Sequence, residues 1–227
     1  MRDQAAYHDL TQYAIPGEVY AVPRPATPYL QEVGQDPGKL RIGMIKTAAD
    51  GQAVHSECVA AVENAAKLLE SLGHQIEETA YTFDYGQLTE VFTRIACAAT
   101  AAGILSSESH VGRPPRRGDF TTVIQEMLER GQQQNAAEHY QDVETMHQIG
   151  WAVGADCDPY DEAITATRPL PPHKVGHFDM SLPFDKLNYE ILVPEVVFTL
   201  PHNISGLPGM SLPLHWSADG LPCGVQF

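Results

Sequence analysis

Apolar positions recur along the chain with two different periods, and these periods separate predicted helices from predicted strands. Residues 40–46 form a short apolar run that predicts a buried strand, and residues 75–80 predict a second strand. Between them, residues 56–72 form an amphipathic helix, with Ser56 as the expected N-cap and Gly73 as the C-terminal stop. Its predicted buried face consists of Cys58, Ala61, Val62, Ala65, Leu68, Leu69 and Leu72. The order strand, helix, strand predicts a βαβ unit with two parallel strands.

The middle of the chain, residues 85–152, is expected to be helical. The pattern predicts a long alanine-rich helix over 85–105 and two further helices near 120–132 and 136–152. Residues 112–118, rich in proline and arginine, are expected to form the loop before the second of these helices. This region therefore follows the βαβ unit as a helical layer.

The last part of the chain, residues 160–227, returns to short strands. Residues 162–167 predict a strand that a proline run closes, and residues 187–200 predict a helix weakened by Pro194. Two further short strands are predicted at 209–214 and 223–227. The last strand ends with the sequence at Phe227, and the first three residues lead straight into a helix-like segment, residues 4–10. Both ends are therefore expected to continue in a longer protein. The alternation of strands and helices indicates an α/β fold.

Residues 1–39 differ from the rest in their high proline content. The segment 14–39 holds five prolines and three glycines. Proline at this density disfavours both helix and central strand, so an extended arm on a surface is predicted. The organisation expected is thus the arm (1–39), the βαβ unit (40–80), the helical region (85–152) and the C-terminal strands (160–227).

Composition and charge exclude several classes of partner. Of 227 residues, 43% are hydrophobic and 19% charged, which is typical of a globular protein. The formal net charge of −15 disfavours binding to nucleic acid or to an anionic membrane, since both require a basic surface. The pattern predicts no signal peptide and no membrane span. None of the four cysteines belongs to a CxxC pair, so a reducing, cytoplasmic compartment is expected.

Candidate chemistry in the residues alone is sparse. The sequence contains no GxSxG nucleophile motif and no glycine-rich phosphate-binding motif. His173 and His177 have a ligand-like spacing, but they lie in a proline-flanked loop without an HExxH pattern, so neither a metal nor a cofactor is predicted. Cys97 lies in the alanine-rich helix, where small neighbours leave room for a ligand, although a packed structural cysteine is the favoured interpretation.

Residues 198–227 carry the most specific pattern in the chain. They read FTLPHNISGLPGMSLPLHWSADGLPCGVQF and resemble the C-terminal signature stretch of amidase-signature enzymes, roughly F-T-x-P-x-N-x-x-G-x-P-x-x-S-x-P followed by G-x-P-x-G-x-Q. Residues 37–43 and 57–62 resemble further family segments, and residues 160–169 resemble the strand and loop that line the family's substrate cleft. Thr165 there replaces a frequent proline. Bacterial amidases and 6-aminohexanoate cyclic-dimer hydrolases have the most similar spacing.

The resemblance implies a fold and a mechanism. The fold would be the C-terminal half of the family's α/β/α fold, a mixed sheet flanked by helices, incomplete in this chain. The family hydrolyses amides through a nucleophilic serine, a second serine with a cis peptide bond, and an unprotonated lysine. The Gly-Gly-Ser-Ser-Gly-Gly run is absent, and none of the five lysines stands in the family's catalytic context. No catalytic residue is therefore assigned to this chain.

The resemblance instead assigns this half to the leaving-group side of the substrate cleft. The substrate-binding residues implied by position are Ala96, Cys97, Thr165, Thr167, Arg168 and Asn203. The expected partners are a small-molecule amide substrate and the N-terminal half. Two alternatives remain open: a non-catalytic module that binds a small molecule, and a fragment that does not fold alone.

Overall fold

The computed structural model describes residues 1–18, 20 and 23–227. These residues divide into two compact units, Met1–Lys39 and Leu40–Phe227. The candidate functional residues named above all lie in the second unit.

The first unit contains two helices held together by one carboxylate. Helix α1 spans Arg2–Thr11 and helix α2 spans Tyr29–Glu32. The side chain of Asp9 accepts hydrogen bonds from the backbone N–H groups of Tyr29 at 2.8 Å and Leu30 at 3.0 Å. Asp9 therefore satisfies two N–H groups that have no partner within α2.

The proline-rich arm is not extended throughout. The single turn of α2 interrupts the extended segment predicted for residues 14–39, because Pro28 occupies its N-cap and leaves the following residues free to form a turn. The same prediction for Val19, Ala21 and Val22 lies outside the described residues.

The second unit is built on one mixed five-stranded sheet. The strands are β1 (Arg41–Ile45), β2 (Gln75–Thr79), β3 (Glu162–Ala166), β4 (Ser211–Trp216) and β5 (Pro222–Gln226). Their order is β2-β1-β3-β5-β4. Strands β2, β1 and β3 are parallel, whereas β5 pairs antiparallel with both β3 and β4. This arrangement confirms the parallel βαβ unit and the mixed sheet.

Helices flank this sheet. They are α3 (Ser56–Ser71), α4 (Tyr85–Ser106), α5 (Glu108–Val111), α6 (Thr122–Gln133), α7 (Ala136–Cys157), a π-helix (Lys186–Leu192), α8 (Val193–Glu195) and α9 (Leu200–Ser205). Four of them, α4 to α7, occupy the predicted helical region. Helix α3 lies across β2, β3, β4 and β5. The main core joins apolar side chains of the sheet to those of α3, α7 and the segment before α9.

Helix α3 differs from its prediction in its N-cap and in part of its predicted buried face. Its N-cap is His55, whose Nδ1 accepts the N–H of Glu57 at 3.2 Å, while Ser56 is the first helical residue. Leu68 and Leu72 are 52% and 66% exposed, contrary to the predicted face. Both lie at the C-terminal end of the helix, beyond its buried residues.

The helix predicted over 187–200 is divided into three pieces. A π-helix gives way to the short α8, and the chain then leaves helical geometry before α9 begins at Leu200. Pro194 and Pro201 lack the N–H group that an uninterrupted helix would require. The break places Glu195 in the interior, at 5% exposure.

Helix α4 is unusually long and apolar. The stretch Tyr85–Val111 is long and apolar enough, by length and composition alone, to cross a membrane, with a mean hydropathy of 1.4. A core helix of a globular domain meets the same criteria. In this fold α4 packs against α6 and α7, and its Arg94 bonds to the buried Asp142 of α7. About 33% of its apolar window is buried by such contacts.

Candidate functional site

Cys97 lies at the floor of a cleft between α4, α6 and the π-helix. The cleft has a volume of about 300 Å³, and Cys97 itself is only 4% exposed. Its lining includes Thr93, Arg94, Cys97, Arg130, Gln133 and Tyr189. Most of these side chains can donate or accept hydrogen bonds, which suits a small polar ligand such as an amide.

Close packing of α6 on α4 sets the depth of this cleft. Gly131 faces the backbone of Cys97, and a Cβ atom added to Gly131 would overlap the Cys97 carbonyl group and stand 2.7 Å from Cβ of Ala101. Only glycine allows the two helix backbones to approach this closely. The approach brings Arg130, the preceding residue, into the cleft lining.

A buried ion pair fixes the wall behind the cleft. Arg94 donates to Asp142 from Nε at 2.9 Å and from Nη2 at 2.6 Å, and Gln134 adds a further donor at 2.6 Å. The hydrogen bonds to Asp142 and Glu90 raise the pKa of Arg94 against the opposing effect of burial. Asp142 is 5% exposed and the Arg94 side chain is 42% exposed, so the pair ties α4 to α7 through a carboxylate in the interior and a guanidinium that reaches the surface.

Arg130 stands between the Cys97 cleft and a second, larger one. Its guanidinium lies 4.5 Å from the ring centroid of Phe184 and donates to Asp185 at 2.9 Å. The neighbouring cleft, of about 540 Å³, shares Arg130 and Gln133 with the first. The larger cleft is lined mainly by charged and amide side chains of α6 and of the loop before it. Of the two clefts, only the smaller one is lined by a residue of the predicted substrate-binding set, Cys97, and it is therefore the candidate site.

The Cys97 thiol lacks the properties of an activated nucleophile. Burial raises the pKa of Cys97, and the nearby Arg130 charge opposes this only in part. A thiol with a raised pKa remains protonated near neutral pH and reacts slowly. It can pack against a ligand and donate a weak hydrogen bond.

Thr165 is part of the core of this chain. Its side chain is 1% exposed, donates to the Ala166 carbonyl at 2.9 Å and accepts from Nε2 of Gln226 at 3.2 Å. Gln226 also donates to the Phe198 carbonyl at 3.0 Å. Thr165 thus joins β3 to β5 and to the segment before α9. Its role in substrate binding stays a prediction.

The two residues after β3 are held by polar partners. The hydroxyl groups of Thr167 and Ser211 are 2.6 Å apart. Arg168 donates to one oxygen of Glu195, from Nη2 at 2.6 Å and from Nε at 3.2 Å. Both Thr167 and Arg168 are half-buried. The loop is therefore fixed in position, as a cleft wall requires.

The positions of Ala96 and Asn203 give less information about a binding role. Ala96 is half-buried beside Cys97 on α4, and Asn203 is exposed on α9. The neighbour of Asn203, His202, shares a 2.8 Å hydrogen bond with the hydroxyl of Tyr81, and burial lowers the pKa of His202. His202 is consequently a structural partner of Tyr81 in this chain.

One segment connects the two groups of predicted site residues. In the π-helix, Asn188 donates to the Thr93 hydroxyl at 3.2 Å, and in α8, Glu195 accepts from Arg168. The described residues that line the Cys97 cleft do not include Thr165, Thr167, Arg168 or Asn203. The two groups of predicted residues therefore contact one common segment, the π-helix and α8, but do not line one cleft.

Several residues at this site are missing from the sequence-based set. The sequence does not indicate Arg130 as a site residue, because it is one charged residue on a largely polar helix. The sequence does indicate Glu195. It is the sole charged residue in the apolar run from Ile191 to Leu200, where a charge is expected to be buried and paired.

The lysine base that amidase chemistry requires has no candidate in this chain. All five lysines belong to the described residues, and none is buried. Hydrogen bonds to Glu78 and Glu63 raise the pKa of Lys46, which is the opposite of what a lysine base needs. The five lysines of this chain therefore supply no proton acceptor of that type.

Known proteins are similar to this chain in sequence and in fold. The sequence model of the Amidase family matches residues 1–227. The chain is 29% identical over 242 residues to the 6-aminohexanoate-cyclic-dimer hydrolase of Paenarthrobacter ureafaciens, covering 100% of this chain and 48% of that protein. The enzyme of the same name from Pseudomonas sp. (strain NK87) is 30% identical with the same coverage.

A solved structure agrees with these relatives. The structure of 6-aminohexanoate cyclic dimer hydrolase complexed with substrate superposes with a TM-score of 0.90 at 27% identity, covering 99% of this chain and 48% of that one. The chain thus spans about half the length of the relatives that it matches.

Proposed function

The chain belongs to the amidase family, and we propose that it is part of an enzyme that hydrolyses a carboxylic amide bond. In this proposal the chain is the C-terminal half of the enzyme. The nucleophilic serine, the cis serine and the lysine base belong to the other half. Support comes from the half-length match to hydrolases and from the absence of a buried lysine among the described residues of this chain.

The observation that carries the proposal is the Cys97 cleft. A volume of about 300 Å³ accommodates a small amide, and the surrounding donors and acceptors can orient its carbonyl and N–H groups. Cys97 and Ala96 would contact the leaving-group portion of the substrate. In a completed active site, Thr165, Thr167, Arg168 and Asn203 would form or support the adjoining wall.

Catalysis in this arrangement depends on positioning. A serine attacks the amide carbonyl, and backbone N–H groups stabilise the oxyanion while the lysine removes the serine proton through the second serine. The contribution of this chain is to hold the leaving group in line and to exclude water from it. The buried Arg94–Asp142 pair and the Thr93–Asn188 hydrogen bond keep that wall rigid.

The proposed substrate class is a small amide without a macromolecular part. The names of two relatives specify the cyclic dimer of 6-aminohexanoate, a compact neutral amide that is consistent with the size of the cleft. The four free cysteines suit a reducing compartment, so we place the enzyme in the cytoplasm.

Complementation tests this proposal. The 227-residue chain is co-expressed with the complementary half of the Pseudomonas relative, and hydrolysis of 6-aminohexanoate cyclic dimer and of a linear aliphatic amide is followed by mass spectrometry. Turnover that needs both halves and falls at least tenfold with Cys97→Trp, but not with Cys157→Ala, is the expected result. A stable complex that hydrolyses neither amide would contradict the proposal.

A further inference from the structure

Two histidines that the sequence places in a loop are stacked by the fold. The rings of His173 and His177 have centroids 3.7 Å apart and an interplanar angle of 15°. The turn between them is closed by the His177 N–H, which donates to the Lys174 carbonyl at 3.2 Å. Gly176 within it has a φ of +95°, a conformation that favours glycine. The two imidazoles are thus held together by a defined turn.

A buried carboxylate adds a third ligand group from a distant part of the chain. Glu195 is 5% exposed, and its Oε1 lies 2.5 Å from Nε2 of His173. One ligand atom from each of His173, His177 and Glu195 lies within 4.8 Å of the other two. Tetrahedral zinc sites with bonds of about 2.0–2.2 Å hold their ligand atoms roughly 3–4 Å apart. The three ligand atoms are thus already near that spacing, and rotation of the stacked imidazoles would direct their nitrogen atoms to a common ion.

We propose that His173, His177 and Glu195 bind a divalent transition-metal ion of the zinc type. Two imidazoles and one carboxylate are a recurrent ligand set for Zn²⁺, with a fourth position left for water. His177 is exposed, so the ion can enter from solvent and the fourth position is accessible. The Cys97 cleft is lined by none of these three residues.

Arg168 completes the site as the partner of the ligating carboxylate. Its bonds to Oε2 of Glu195 leave Oε1 for the metal, so the carboxylate would bind through one oxygen. The charges of Arg168 and Glu195 cancel, which lowers the affinity for a dication relative to a carboxylate-rich site. We therefore expect micromolar binding.

The ligand types also predict selectivity. Neutral imidazole suits Zn²⁺, Ni²⁺ and Cu²⁺, whereas Mg²⁺ and Ca²⁺ prefer sites made mainly of oxygen ligands. In the metal-free protein, the Arg168–Glu195–His173 hydrogen bonds satisfy the buried carboxylate. Binding would exchange the contact between His173 and Glu195 for bonds from both residues to the ion.

Calorimetric titration of the 227-residue chain with zinc sulfate at pH 7.5 tests this site. The wild-type chain should bind one Zn²⁺ and no Mg²⁺. His177→Ala, at an exposed position, should weaken Zn²⁺ binding at least tenfold while retaining the circular dichroism of the wild type. His139→Ala, at an exposed histidine of α7, is the matched control and should bind as the wild type does.

X-ray absorption on the loaded chain supplies a second readout. Coordination by nitrogen and oxygen alone is expected. Sulfur coordination, an absence of saturable Zn²⁺ binding, or equal affinity in His177→Ala would each overturn the proposal. Because neither readout involves amide hydrolysis, the metal site and the proposed function can fail independently.

Discussion

Gly131 of α6 lies directly against the backbone of Cys97 on α4, leaving no space for a side chain between the two helices. This contact determines how near α6 comes to the floor of the candidate cleft. It also makes a single methyl group a sensitive probe of the site.

Gly131→Ala should destabilise the chain by about 1–3 kcal/mol, because the added methyl group forces α6 away from α4. Urea unfolding followed by circular dichroism measures the change. Gly103→Ala is the matched control: this glycine lies in α4, and a methyl group added to it would meet no other atom within 4 Å. Alanine there should be neutral or stabilise by up to about 1 kcal/mol. Equal effects of the two substitutions would refute the close contact.

The ion pair between Arg168 and Glu195 should contribute to stability because Glu195 is buried. Glu195→Gln removes the charge and keeps the shape, leaving Arg168 without its carboxylate. We expect a loss of about 1–3 kcal/mol in the free energy of unfolding. Glu77→Gln breaks an exposed pair with Arg41, whose atoms are 3.7 Å apart, and should change stability by less than about 0.5 kcal/mol. A loss no greater than that of Glu77→Gln would show that the Arg168–Glu195 pair is not stabilising.

His202 should make the stability of the chain depend on pH. Burial lowers its pKa in the folded state below the ordinary value of 6.5, so the unfolded chain binds a proton more readily. Its stabilising contribution is present above pH 6.5 and is lost as the pH falls through the folded-state pKa. Unfolding free energies measured between pH 7.5 and 5 should therefore fall less steeply in His202→Gln than in the wild type. His139→Asn should keep the wild-type slope, and identical slopes in all three proteins would contradict the assignment.

The four cysteines should differ in their reactivity. Cys58, Cys97 and Cys223 are each at most 4% exposed, whereas Cys157 is half-buried. Burial raises the pKa of Cys58 to about 12 and also raises that of Cys97. With N-ethylmaleimide at pH 7.5, mass spectrometry should detect Cys157 as the first modified residue, and all four after addition of urea. Faster modification of Cys97 would contradict its description as a buried neutral thiol.

Elements defined by local periodicity could be predicted from the sequence. Strand β1 and helices α3 and α4 were recoverable because each buries side chains at its own repeat. The division of residues 187–200 could not be predicted in this way. Their apolar pattern favours one continuous helix, whereas the prolines interrupt it. The N-cap of α3 differs by one residue, since His55 provides an acceptor that Ser56 would otherwise supply.

The candidate site was predictable only in part. Cys97 is indicated by the small residues around it, and a cleft does lie there. Its neighbours Arg130 and Tyr189 come from elements far apart in the chain, and only the fold brings them together. The same holds for Glu195, which joins His173 and Arg168 across more than twenty residues.

We propose that this chain forms one wall of an amidase active site and holds none of the catalytic groups. This proposal is tested by the turnover of a simple aliphatic amide and an aryl amide by the purified 227-residue chain alone, followed by release of ammonia or amine. We predict no turnover above that of buffer. Saturable hydrolysis that copurifies with the folded chain would contradict the claim.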